Sequence, residues 1–341
     1  MESEQTVLVT GASTGIGLAM ARALTGTKYR VFLTGRQSSL PRFDVHAIGE
    51  SKNVRIRPLD VTKAEEREAL IAEAERDWGG IDILINNAGV SYRAVVEHVE
   101  ERERLAQMDV NFRSPMELIR LVLPGMRAKR AGRIITVSSV GGMMAMPTMA
   151  AYSASKFALE GAHEALWYEV RPWGIRVSLV QPGFVHSDGF QKVRYTPKSG
   201  RSEHELAEPY HEHYVNMAPF IEKAMKSSRA TPQSVANVVL KTMRRKHPPL
   251  RVPATRDTRR ARLLRASPDS ASEHVPLASV QDAPPRRHVG PVANAHVVTA
   301  TAVRRQPLIT SNGERGTSSS LAHPFAPASA PRASAQRERD S

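Results

Sequence analysis

Tyr152 and Lys156 stand four positions apart in "AAYSASKFALEG" (150–161), so a helix carrying both would stack a phenol and an ammonium on one side. In water a phenol has a pKa of about 10 and keeps its proton at neutral pH. A neighbouring cation favours the phenolate, so Tyr152 is expected to exchange a proton with a substrate oxygen near physiological pH. Ser139, thirteen positions earlier in "VSSVGG", follows a β-branched run, and its hydroxyl can hydrogen-bond an oxygen as charge builds on it. Its neighbour Ser138 is the competing assignment. Asn111, in "DVNFRS", falls inside a long helix-patterned stretch where an amide side chain is locally unfavourable. It is expected to bend that helix and hold a water linking Lys156 to solvent.

Proton transfer of this kind needs a partner that moves a hydride, and a second motif points to one. "TGASTGIG" (10–17) follows the apolar run "TVLVT" and leads directly into "LAMARAL". Gly11, Gly15 and Gly17 let the chain turn sharply and a pyrophosphate approach the main chain, facing a helix N-terminus, with Ser13, Thr14 and Ile16 completing the turn. The G-x-x-x-G-x-G spacing differs from G-x-G-x-x-G, but strand, glycines and helix in this order indicate a dinucleotide. After the second strand the chain reads Thr34, Gly35, Arg36. The acid that would bind a ribose 2′-hydroxyl is missing and a guanidinium is present, which favours NADP(H) over NAD(H). Asp60 and Val61 end the third strand in "PLDV", where Asp60 would bond the adenine amino group or cap the next helix. Asn87, Ala88 and Gly89 of "NNAG" end the fourth, where backbone must pass the adenosine ribose.

Elements that would position these groups alternate along the first 250 residues. Runs at 6–10, 29–34, 54–60, 81–86, 133–139, 175–181 and 250–253 read as strands; helices are expected near 16–26, 63–78, 97–130, 152–171 and 231–246. Strands apolar on both faces and separated by helices predict an α/β fold with a doubly wound parallel sheet, Rossmann-type and single-domain, over 1–255. The interruption at 187–230 is either a substrate lid or a surface excursion. From 256 to 341 the texture turns to Ala, Pro, Ser and Arg with one aromatic, Phe325, which predicts a low-complexity, disordered tail.

Composition narrows the class. The 341 residues are 41% hydrophobic, enough for a sizeable core, and include no cysteine, which excludes disulfides, thiolate metal sites and thiol nucleophiles. A polar, acidic start and the lack of any apolar run of about 20 residues predict a cytoplasmic protein without a transmembrane segment. The net charge of +14 is dispersed: residues 256–341 hold 13 arginines, no lysine and 7 acids, and no basic stripe stands out, which argues against nucleic acid as partner. His204, His211 and His213 lack metal-ligand spacing and are read as lid residues, so no metal is expected.

Taken together, "TGASTGIG", "NNAG", the serine of "SSVGG", "YSASK" and "QPGFV" resemble the short-chain dehydrogenase/reductase family over residues 5–253. The stretch 138–161 looks most like the branch containing 17-beta-hydroxysteroid and retinol dehydrogenases. The resemblance implies a tetrad of Asn111, Ser139, Tyr152 and Lys156, with Lys156 also holding the nicotinamide ribose. It implies that Pro182, Gly183 and Val185 border the nicotinamide, that Ser187 stands where a threonine often bonds the carboxamide, and that the protein is a homo-oligomer. The substrate would be an apolar ketone or aldehyde or the corresponding alcohol; Met143, Met144, Met146 and Met149, lying between Ser139 and Tyr152, would each either face it as a flexible apolar wall or pack in the core. The chain departs from the family at Arg256, where relatives carry a helix-rich segment that closes the pocket; a shifted reading frame is one explanation. The rival reading is a non-catalytic nucleotide-binding regulator whose basic tail contacts an acidic partner.

Overall fold

The computed structural model describes residues 4–186 and 194–265, all within one compact unit. Nine strands are described: β1 Thr6–Val9, β2 Arg30–Gly35, β3 Val54–Pro58, β4 Ile83–Asn86, β5 Tyr92–Arg93, β6 Gly132–Val137, β7 Ile175–Gln181, β8 Arg194–Tyr195 and β9 Arg251–Pro253. Seven form a parallel sheet in the order β3-β2-β1-β4-β6-β7-β9, and β5 and β8 pair in a small parallel ribbon of their own. Helices are α1 Gly15–Leu24, α2 Pro41–Val45, α3 Ala64–Trp78, α4 Glu101–Met108, α5 Ser114–Ala128, α6 Ala150–Val170, α7 Pro197–Ser202, α8 His211–Ser227, α9 Pro232–Arg244 and α10 Arg256–Arg265.

Period-two alternation splits each central strand between two cores. Val7, Val9, Val31, Leu33, Ile83 and Ile85 pack with Met20 and Leu24 of α1 and Val235, Val239 and Met243 of α9. Leu8, Phe32, Leu84 and Ile134 point the other way, toward Leu70 of α3, Ile119 and Met126 of α5, and Leu166 of α6. The doubly wound sheet expected from the strand runs is therefore present. α9 is built for its place: Thr231 and Ser234 form a capping box, Pro232 starts the helix, and Lys241 and Arg244 lie in its last turn.

Two local expectations change. The helix expected over 97–130 is broken at Asp109–Arg113, where one π-helical turn containing Asn111 separates α4 from α5. The tail expected to be disordered from 256 begins with a helix, α10. Its start is held by Thr255 and Thr258: the Thr255 N–H donates to Thr258 Oγ1 at 3.2 Å and that hydroxyl donates to Thr255 O at 2.9 Å. The remainder of the tail lies outside the described residues.

Candidate active site

The carboxyl ends of β1, β2, β4, β6 and β7 open on a cavity of about 1110 Å³. Of the residues expected there, Ser13, Thr14, Gly15, Ile16, Arg36, Asn87, Gly89, Ser139, Tyr152, Lys156, Pro182, Gly183 and Val185 line it. Gly11, Gly17, Asp60, Val61, Ala88 and Asn111 do not, and Ser187 lies outside the described residues.

The residues behind the wall shape it. Gly11 has φ +64, and a Cβ there would come within 2.9 Å of Ala88 Cα; a Cβ on Gly17 would collide with the Gly11 carbonyl oxygen. Thr10 Oγ1 accepts the Asn87 and Ala88 N–H groups at 2.9 and 3.0 Å, and Asn87 Nδ2 donates to Thr10 O and Gly11 O at 3.0 and 3.1 Å. The end of β4 thus clamps the glycine turn. Thr14 makes no side-chain cap to α1, and a Cβ on Gly15 would meet nothing within 4 Å, so the helix N-terminus has space beside it for an anion. An open, uncapped, carboxylate-free wall fits the diphosphate of a dinucleotide.

Asp60 neither lines the cavity nor caps α3, whose start has Lys63 at the cap position and no side-chain cap; its Oδ1 instead closes a local turn, accepting from Thr62 N at 3.0 Å and Thr62 Oγ1 at 2.7 Å. Burial pushes that carboxyl up, but the Thr62 bonds and the charges of Lys63 and Arg36 outweigh it and hold the pKa below the ordinary value. Val61 is core. Arg36 is exposed at the rim, and Arg22, Arg42 and His46 share that part of the lining, with Arg22 Nη2 and His46 Nδ1 2.8 Å apart.

At the other end, α6 presents Tyr152 and Lys156 one turn apart, the ammonium 5.9 Å from the phenol ring centroid. Lys156 is buried and donates to Val137 O at 3.1 Å. The Tyr152 ring packs on the Val140–Gly142 turn, where a Cβ on Gly141 would lie 3.1 Å from Tyr152 Cε1. Ser139 Oγ accepts from Gly141 N at 3.0 Å and reaches the Tyr152 hydroxyl, whereas Ser138 Oγ is buried without a partner. Geometry therefore pairs Ser139, rather than Ser138, with the phenol.

The electrostatics depart from the expectation of a phenol lowered by its cation. Burial raises the half-buried Tyr152 above its ordinary value, and the Ser139 hydrogen bond only partly opposes it. Burial lowers Lys156 to about 8, against the pull of the buried Glu160 carboxylate. Desolvation is the largest influence on both groups and sets the direction of each shift.

Asn111 serves the π turn and the loop after β4. Its Oδ1 accepts from Val90 N at 2.9 Å, and its Nδ2 donates to Val90 O at 2.8 Å and to Ser155 Oγ at 3.0 Å. It fixes the backbone beside Gly89 rather than facing the cavity.

Sequence reasoning missed two features. Gly183 N donates to Thr255 Oγ1 at 2.9 Å and Phe184 N to Asp257 Oδ2 at 2.8 Å, so the start of the supposed tail ties down the loop after β7. The segment after β7 is fastened through His98: Tyr214 Oη lies 3.0 Å from His98 Nδ1 and accepts from Val95 N at 3.0 Å, and Thr196 Oγ1 donates to His98 O at 2.7 Å. That fastening turns Met217 and Ile221 of α8 into the cavity wall. Only the capping pattern Thr255-x-x-Thr258 signalled the first feature in the sequence.

Comparison with known proteins gives consistent results. A family model described as short chain dehydrogenase matches residues 5–198. A 3-ketodihydrosphingosine reductase of Bacteroides thetaiotaomicron is 35% identical over 247 residues, 72% of this chain and 86% of that protein. Human 17-beta-hydroxysteroid dehydrogenase type 1 is 30% identical over 254 residues, 72% of this chain and 76% of that protein. The crystal structure of a metagenomic short-chain oxidoreductase in complex with NADP superposes with TM-score 0.55 at 28% identity, covering 74% of this chain and 96% of that one.

Proposed function

The chain belongs to the short-chain dehydrogenase family of NAD(P)-dependent oxidoreductases, and from that premise we propose that it interconverts an apolar ketone or aldehyde and the corresponding alcohol, using NADP(H). The observation that carries this reading is that Tyr152, Ser139 and Lys156 line the same cavity as the glycine turn and Arg36. The glycine turn and the α1 N-terminus would hold the diphosphate, Arg36 the 2′-phosphate, and Lys156 the nicotinamide ribose. The nicotinamide supplies or accepts the hydride.

The protein's own part is proton management. A phenol whose pKa is raised keeps its proton at neutral pH, which suits Tyr152 to protonate the oxygen of a carbonyl undergoing reduction. Ser139 hydrogen-bonds the same oxygen and, through Gly141 N, keeps a fixed rotamer. Lys156, with a pKa of about 8, is mostly cationic at pH 7 and steadies the phenolate left when the proton departs. Met146, Met149, Met217 and Ile221 give the apolar part of the wall, suited to a hydrophobic substrate.

Absorbance at the nicotinamide band tests the reading directly. Purified protein should consume NADPH faster than NADH on at least one of a panel of apolar ketones and aldehydes. Inertness toward the whole panel with both cofactors, despite dinucleotide binding, would sink it.

A further inference from the structure

The cavity wall carries five cations, Arg22, Arg36, Arg42, Arg93 and Lys156, and no aspartate or glutamate among the described residues. Arg22 lies in the last turn of α1, Arg36 directly follows β2 and Arg42 is on α2, while Lys156 is engaged with Val137 O. Arg93 stands apart from them. It lies on β5, and the next residue, Ala94, bridges to Met149 and donates to Thr148 O at 2.7 Å, only a few residues before Tyr152. On its other side β5 pairs with β8, in register with Tyr195.

Arg93 is held in position but left short of acceptors. Its guanidinium lies 5.7 Å from the Tyr195 ring centroid, and Nη1 donates to Tyr195 Oη at 3.0 Å. Nε is buried with no partner, and no carboxylate pairs with this side chain among the described residues. A guanidinium offers five N–H donors, and leaving one buried without an acceptor carries a desolvation penalty. An arginine held by an aromatic face, facing a cavity with no acid of its own, matches the way proteins present a planar fork to an anionic oxygen group. The cationic lining also raises the local concentration of anions.

We infer that Arg93 is an anion subsite for the substrate, taking a carboxylate or phosphate at the far end of an otherwise apolar carbonyl compound. The inference rests on the proposed reading of the cavity as a carbonyl-reducing site. It makes Arg93 a specificity residue that acts on KM more than on kcat, because its contact is made equally before and during the chemical step.

The test compares three substrates of equal chain length with NADPH in excess: a medium-chain oxo acid, its methyl ester, and the matching oxoalkyl phosphate. In the native protein the anions should be favoured over the ester about tenfold to a hundredfold in kcat/KM, the scale of one charge-assisted hydrogen bond. Added salt should narrow that preference. Arg93→Leu should bring the ratio close to one, chiefly through KM, and the anion more affected is the one the subsite fits better. Equal kcat/KM for acid, phosphate and ester in the native protein, or a preference that survives Arg93→Leu, overturns the assignment while leaving carbonyl reduction intact. Failure of all three together with every neutral ketone overturns the underlying reading, and the inference with it. Should Arg93→Leu not fold, the native ratio and its salt response decide the matter.

Discussion

The Lys156 ammonium donates to Val137 O at 3.1 Å while lying 5.9 Å from the Tyr152 ring centroid, so the cation is anchored to the end of β6 rather than to the phenol. A strand end therefore holds the charge at a fixed distance from the hydroxyl. The pair works as neighbours with separate supports, Lys156 on Val137 and Tyr152 on Ser139 and Gly141.

Tyr152→Phe removes the acid without altering the ring that packs on Gly141. We expect kcat to fall by about a hundred- to ten-thousandfold, the range for loss of a general acid, while NADPH affinity by fluorescence titration stays within a small factor. Substantial residual turnover would refute proton transfer through the phenol.

Lys156→Met should separate activity from stability. A buried cation whose pKa falls from about 10.4 to about 8 burdens the fold below pH 8, because the unfolded chain holds the proton more tightly. That burden lifts as pH rises from about 8 to about 10.4. The variant should lose activity yet melt several degrees higher than the native protein at pH 7, with the gap closing toward pH 10. A lower Tm at pH 7 would show that the ammonium stabilises the fold instead.

Arg36→Asp places a carboxylate where a 2′-phosphate would sit. The NADPH to NADH ratio of kcat/KM should drop by about tenfold or more. An unchanged ratio would transfer the preference to Arg22 and Arg42, which share that wall.

Asp257→Ala removes the carboxylate that ties the Phe184 N–H to α10. The expected cost is about 1–3 kcal/mol in thermal or denaturant unfolding, together with a raised KM for the cofactor, since Pro182 and Gly183 line the cavity. Native-like stability and KM would mean that the loop after β7 does not depend on α10.

Much of the architecture was legible because the central strands are buried on both faces and so read as continuous apolar runs, such as Thr6–Val9 and Ile83–Asn86. The glycine turn and the Tyr152–Lys156 spacing were legible because both act over a few residues. What escaped acts over long separations. The bonds from Gly183 and Phe184 to Thr255 and Asp257 span 72 and 73 residues and join a sheet edge to a segment whose composition suggests disorder. Spacing also reveals a charge neighbour but not the water it excludes, which is why the direction of the Tyr152 pKa came out opposite to expectation. Asn111 lies in the π turn that interrupts the expected helix, and its amide is taken up by Val90 and Ser155.

The single π turn at Asp109–Arg113 inserts one residue into an otherwise continuous helical path, offsetting the faces of α4 and α5 by about 100°. This offset lets Gln107 reach Tyr92 N at 3.2 Å while Leu118, Ile119 and Val122 stay turned to the sheet. Deleting any one of these five positions would restore a regular spiral and rotate one half out of phase with its packing partner. Homologous chains that tolerate a length change elsewhere in the crossover should resist one here.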